Sequence, residues 1–220
     1  MIKAIILDMD GLMIDSEIIS YTAYGCYLKK YGVQSLSKEE YCYCFAGKSL
    51  VNGLLFARNH FQLSFDIDEA CQFFIDKEHE IVEKDGVALK PGLRELLEYI
   101  KENNLKVSMG TSSGLERVHQ LIDRHDIIKY FDAITCGSEV QNGKPAPDIF
   151  LKACEKLGVN PSEALVLEDS ETGILAAHNG NIPVICIPDM KKPSQEYAEM
   201  TVHVYDSLLD VVEYLKGENK

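Results

Sequence analysis

Residues 2–11 read IKAIILDMDG. A short apolar run closed by an acid is the pattern of a strand buried on both faces, as parallel sheets require. That strand is expected at 2–8. Similar runs recur at 105–110 (LKVSMG), 133–136 (AITC), 164–167 (ALVL) and 183–187 (PVICI). Helical stripes lie between them: Leu93, Leu96, Leu97 and Ile100; then Leu115, Val118, Leu121 and Ile122; then Phe150, Leu151, Cys154 and Leu157. Asn160-Pro161-Ser162-Glu163 reads as a helix start, with Asn as the cap and Pro at the first helical position. Asp206 is expected to cap a final helix through about Lys216. Strands alternating with helices predict a doubly wound, Rossmann-like α/β core with a parallel sheet.

Residues 16–85 break this rhythm. Ile19, Ala23, Cys26 and Tyr27 mark one helix, ended by Gly32. Ser37-Lys38-Glu39-Glu40 is a capping box that opens a second. A third is expected over 50–59. Ile67, Ala70, Cys71, Phe74, Ile81 and Val82 mark a fourth, with Glu78 the exception on its apolar face. The expected organisation is a core from 1–15 and 86–220, interrupted by an all-α cap at 16–85.

The chain has 220 residues, and 22 Lys and Arg against 35 Asp and Glu leave a net charge of −13. That balance disfavours nucleic acid, whose binding depends on Lys and Arg at phosphates. It disfavours an anionic membrane surface equally. A small phosphorylated molecule is not excluded, because it needs only local positive charge. No apolar run approaches the roughly 18 residues of a membrane span. The N-terminal run is too short for a signal peptide, and Asp8 and Asp10 interrupt it. The seven cysteines, at 26, 42, 44, 71, 136, 154 and 186, contain no CxxC pair. They read as reduced thiols, and a cytoplasmic protein is expected; a monomer is the expected form.

Four clusters carry chemistry. Asp8-Met9-Asp10-Gly11 ends the first strand, where open α/β sheets bind ligands. Side chains at i and i+2 share a strand face, so the two carboxylates converge. The cluster reads either as metal ligand, nucleophile and acid/base, or as a strand-end turn. Glu168-Asp169 ends a later strand. Close carboxylates ionise together only beside a cation. Oxygen donors without His or Cys favour Mg²⁺ over zinc. Gly110-Thr111-Ser112-Ser113-Gly114 opens a helix, either as an anion site or as a plain cap. Gly143-Lys144-Pro145-Ala146-Pro147-Asp148 is a rigid loop that either turns Lys144 inward or leaves it on the surface.

Taken in order, these motifs resemble the haloacid dehalogenase-like hydrolase superfamily, in its β-phosphoglucomutase and phosphatase branch. Asp8 to Ser16, DMDGLMIDS, is similar to that family's first motif. Thr111, Lys144 in GKPAPD, and Glu168-Asp169 match the second, third and fourth. The resemblance implies a Mg²⁺-dependent phosphatase acting on a small phosphorylated metabolite through an aspartyl-phosphate. It implies Asp8 as nucleophile and Asp10 as acid and base. It implies Thr111 and the Ser112 N–H on phosphoryl oxygens, and Lys144 as the neutralising charge. The metal would sit on the Asp8 side chain, the Asp10 main-chain carbonyl and Asp169, with Glu168 directly or through water. The resemblance also implies that the cap closes over the site. There, residues 45–49 (FAGKS) are expected to face the site, and Lys48 is the candidate for a distal polar group of substrate. Glu17 reads as a first-turn helix acid or a substrate contact.

A phosphosugar mutase resembling β-phosphoglucomutase is the nearest alternative. Those mutases continue the first motif to a His, where this chain has Ser20, and they carry a basic pair where Ala46 and Leu50 stand here. A phospho-accepting receiver module is the alternative from another class. The helical insert and the Asp8-x-Asp10 spacing favour a hydrolase over it.

Overall fold

The computed structural model describes residues 1–45 and 48–218. The chain divides into two compact units, Met1–Asp15 with Ala88–Lys220, and Ser16–Val87. In chain order, β1 (Ala4–Leu7) is followed by α1 (Glu17–Lys29), α2 (Lys38–Cys44), α3 (Leu50–His60) and α4 (Ile67–Asp85), which make up the helical unit. Then come α5 (Leu93–Glu102), β2 (Lys106–Thr111), α6 (Leu115–Ile122), β3 (Ala133–Cys136), α7 (Asp148–Leu157) and β4 (Ala164–Glu168). The α/β unit ends with α8 (Glu171–Asn179), β5 (Val184–Cys186), the short α9 (Gln195–Ala198), β6 (His203–Val204) and α10 (Leu208–Glu218).

Among the described residues the strands form one parallel sheet in the order β3-β2-β1-β4-β5-β6. All four residues of β1 are fully buried, which explains their uninterrupted apolar run. Ala4 and Ile6 join Val166, Val184, Phe150, Cys154 and Ile174 in the core beneath α7 and α8. Ile5 and Leu7 alternate to the opposite face. α5 packs on β2 and on α10, burying Leu93, Leu96, Leu97 and Ile100.

Several sequence expectations change here. Leu115 and Leu151 are exposed, while the rest of their stripes is buried. Ile149 and Ala153 take the inward positions on α7 instead. Asn160 caps a one-turn 3-10 helix, Pro161–Glu163, as its pattern indicates, but no α-helix follows. The chain runs directly into β4. Pairing of Ala164–Leu167 with β1 overrides the local helix signal. The final helix is capped by Ser207 rather than Asp206. The Ser207 hydroxyl accepts from Leu209 N–H at 3.1 Å, and Ser207 N–H donates to Asp210 at 3.1 Å. β6 is two exposed residues with no apolar run to announce it.

In the helical unit, the Ser37 capping box forms as expected: Glu40 N–H donates to the Ser37 hydroxyl and Ser37 N–H to the Glu40 carboxylate. Cys26 is exposed, and Tyr24 and Leu28 join Ile19, Ala23 and Tyr27 inside. Glu78 does lie on the buried face of α4, with Ala70, Phe74 and Val82. The Ser20 hydroxyl donates to its carboxylate at 2.6 Å, which compensates part of its burial. No helix among the described residues is long and apolar enough to cross a membrane.

Ile5 sits on the central strand with no exposed surface. Ile5→Ala should cost about 2–5 kcal/mol of unfolding free energy through lost transfer and a residual cavity, read as a lower urea midpoint.

Candidate active site

Two neighbouring parallel strands end together. After β1 comes Asp8, whose N–H donates to the Leu167 carbonyl of β4 at 3.0 Å. β4 itself ends on Glu168, followed by Asp169. Parallel pairing of Leu7 with Leu167 therefore delivers both acidic pairs to the C-terminal edge of the sheet. This edge is also the point where the strand order reverses around β1. Gly11, at φ +79°, turns the chain sharply away. A Cβ at Gly11 would overlap the Asp169 carboxylate, so glycine serves both the turn and the close approach.

Asp8, Glu168 and Asp169 each offer a carboxylate oxygen within 4.8 Å of the others. Lys144 reaches between two of them, donating to Asp8 Oδ1 at 2.5 Å and to Glu168 Oε1 at 2.6 Å. Its ammonium also stands 4.7 Å from the centre of the Phe150 ring. Glu168 is held on its other side. Its Oε2 accepts from Asp169 N–H at 2.8 Å, Ser170 N–H at 2.8 Å and the Ser170 hydroxyl at 2.9 Å. Gly173 closes over this carboxylate so tightly that a Cβ there would overlap it.

The charges are strongly coupled. Burial alone would lower the pKa of Lys144, but the Asp8 and Glu168 carboxylates outweigh it and hold the ammonium charged. Burial pushes the Asp8 carboxyl up to about 7, Lys144 pulls against that rise, and the Glu168 and Asp10 charges add to it. A divalent cation beside Asp8 would reverse the shift. The oxygen-only donor set of Asp8, Glu168 and Asp169 fits a hard metal ion.

β2 brings the next residues to the same edge. Thr111 is buried at its end, and its Oγ1 accepts from Ser113 N–H at 3.1 Å. Ser112 is exposed beside it. Two further side chains appear that the sequence reading did not single out. The Ser113 hydroxyl donates to Asp10 Oδ2 at 2.9 Å, and Arg117 Nη2 lies 3.9 Å from Asp10 Oδ1. Both follow the hydroxyl-rich strand end, and a cation in the first turn of α6 was the available signal for Arg117.

Lys48 belongs to the helical unit. There it donates to the Tyr43 carbonyl at 2.7 Å and stands 5.0 Å over the Phe56 ring. Glu17 opens α1 and accepts from the Tyr41 hydroxyl at 2.7 Å. Of the loop expected to face the site, Ala46 and Gly47 lie outside the described residues.

A parallel sheet with carboxylates, a hydroxyl and a lysine gathered at its C-terminal edge is an arrangement suited to phosphoryl transfer. A family model described as haloacid dehalogenase-like hydrolase matches residues 5–187, and the chain belongs to that family, in its β-phosphoglucomutase-like branch. The protein of Drosophila melanogaster named probable pseudouridine-5′-phosphatase is 33% identical over 217 residues, covering 93% of this chain and 89% of the relative. The phosphorylated carbohydrates phosphatase of Thermotoga maritima is 33% identical over 188 residues, covering 82% of each chain. A crystal structure from Thermotoga maritima, provisionally assigned as a β-phosphoglucomutase, superposes with a TM-score of 0.81 at 26% identity, covering 98% of this chain and 99% of that one. The chain is thus an enzyme of the phosphomonoesterase kind. Members of this family typically use a metal ion.

Two outcomes follow from the packing and charge. Gly173→Ala should displace Glu168 and destabilise the fold by about 1–3 kcal/mol, the usual scale of overpacking, read by urea denaturation. Without metal, Asp8 carries a folded pKa near 7 against an ordinary value of 3.8, so the folded chain holds the extra proton between them. Its contribution to stability is full below pH 3.8 and is lost as pH rises through 7. In chelator, the wild-type Tm should fall across that window more than the Tm of Asp8→Asn, and parallel curves would refute the assignment.

Proposed function

We propose that the chain is a Mg²⁺-dependent phosphatase that hydrolyses a small sugar phosphate or similar metabolite through an aspartyl-phosphate on Asp8. The observation that carries this reading is the Lys144 ammonium within 2.6 Å of both Asp8 and Glu168, beside Asp169. In the first step an Asp8 oxygen bonds to phosphorus as the bond to the leaving oxygen breaks. Asp10 passes a proton to that oxygen, then takes one from the water that cleaves the intermediate. Thr111 and the Ser112 N–H hold non-bridging oxygens, and Lys144 orients the nucleophile and neutralises phosphate charge. Mg²⁺ held by Asp8, the Asp10 carbonyl, Asp169 and, directly or through water, Glu168 would supply further positive charge against the phosphoryl oxygens. Lys48 is our candidate for a distal polar group of the substrate. The names of the two phosphatase relatives support a phosphorylated carbohydrate or nucleoside as substrate. The seven free cysteines support action in the cytoplasm, and we take the working form to be a monomer.

A mutase is the second reading, favoured by the Thermotoga maritima structure assigned to that activity. Against it, Ser20 stands where those mutases carry His, and its hydroxyl is engaged by Glu78.

A screen of small phosphorylated metabolites, with Mg²⁺ and with chelator, tests the proposal. Phosphate release should need Mg²⁺ and fall by at least about a thousandfold in Asp8→Asn. Equal activity in chelator would sink the metal assignment, and normal turnover by Asp8→Asn would sink the nucleophile. A bisphosphate-dependent 6-phosphate product from β-glucose 1-phosphate would make the chain a mutase.

A further inference from the structure

We infer that Ser113 is a positioning residue for Asp10, fixing the direction in which its carboxyl group points. The inference rests on the acid and base role proposed for Asp10. The Ser113 hydroxyl has a single proton, and it is given to Asp10 Oδ2 at 2.9 Å. Asp10 Oδ1 faces Arg117 Nη2 across 3.9 Å. The side chain is thereby bounded on both oxygens, although it is only half-buried and would otherwise rotate freely about its terminal torsion.

Ser113 is itself held in place. Its N–H donates to Thr111 Oγ1 at 3.1 Å, and its carbonyl accepts from Gly137 N–H at 3.3 Å. Gly137 packs so closely on the Ser112 carbonyl that a Cβ would overlap it, so the loop after β3 braces the loop after β2. The hydroxyl therefore comes from a rigid support, as a positioning group must. The chain Thr111–Ser113–Asp10 also ties the end of β2 to the turn after β1. Phosphoryl contact and proton transfer then share one frame.

The test compares wild type, Ser113→Ala, Ser113→Thr and Asp10→Asn, all with Mg²⁺, on p-nitrophenyl phosphate and phenyl phosphate. The two esters are close in shape and differ in how much the leaving oxygen needs a proton. The ratio kcat/KM reports the steps through departure of that oxygen. Ser113→Ala should lose about tenfold on phenyl phosphate and less than about twofold on p-nitrophenyl phosphate. Asp10→Asn should show the same asymmetry more strongly, and Ser113→Thr should recover the phenyl phosphate rate. An equal loss on both esters in Ser113→Ala, with Asp10→Asn still asymmetric, overturns this inference and leaves the role of Asp10 standing. An equal loss on both esters in Asp10→Asn overturns the acid role itself and the inference with it.

Discussion

The site depends on one ammonium between two carboxylates. Lys144, Asp8 and Glu168 are each nearly closed to solvent, with Lys144 side-chain exposure of 8% and Glu168 of 1%. Removing Lys144 would leave two buried carboxylates without a compensating charge, the costly case for an ion pair. The surroundings are built to hold this arrangement. Glu168 is tied by the N–H groups of Asp169 and Ser170 and capped by Gly173, so its carboxylate is fixed before Lys144 meets it. Asp8 is fixed by backbone pairing to β4. The lysine comes from a loop and stands against the Phe150 ring, which links the site to the core beneath α7.

Charge explains why an acidic chain can accept phosphate at all. A net charge of −13 repels anions at long range, and a deep cluster of carboxylates repels them locally. Lys144 alone does not cancel Asp8, Glu168 and Asp169. Burial does most to push Asp8 up and the Glu168 charge adds to it, and a cation among these oxygens would act in the opposite direction. A metal ion held among these oxygens would act on the same carboxylate that Lys144 contacts.

Much of the α/β unit was legible because both faces of the sheet are covered. β1, β2, β3, β4 and β5 all fall on apolar runs, since a parallel strand buried on both sides has no polar face to obscure it. Two-residue β6 lies exposed at the sheet edge and carries no such run. Helix stripes were readable to within one position. Leu115 and Leu151 fit the 3.6-residue period but sit at its margins, where the partner surface decides which residue turns inward. Glu78 reads as an exception in the sequence, and its meaning came only with Ser20 from a helix 58 residues away in the chain. At Asn160–Glu163, local capping chemistry was real but pairing with β1 decided the element.

By itself the sequence determined the fold class, the family and the residues that meet at the sheet edge. Strand-end acids, a hydroxyl after the second strand and a lysine just ahead of two prolines are local patterns, and each keeps its chemistry wherever the chain places it. Only the tertiary structure decided how they act on one another. That Lys144 divides itself between Asp8 and Glu168, and that Ser113 rather than a strand acid takes hold of Asp10, depends on bonds across 136, 24 and 103 residues of chain. Such bonds leave no periodic trace, because their geometry is set by the parallel register of β1 with β2 and β4 and not by spacing along the sequence.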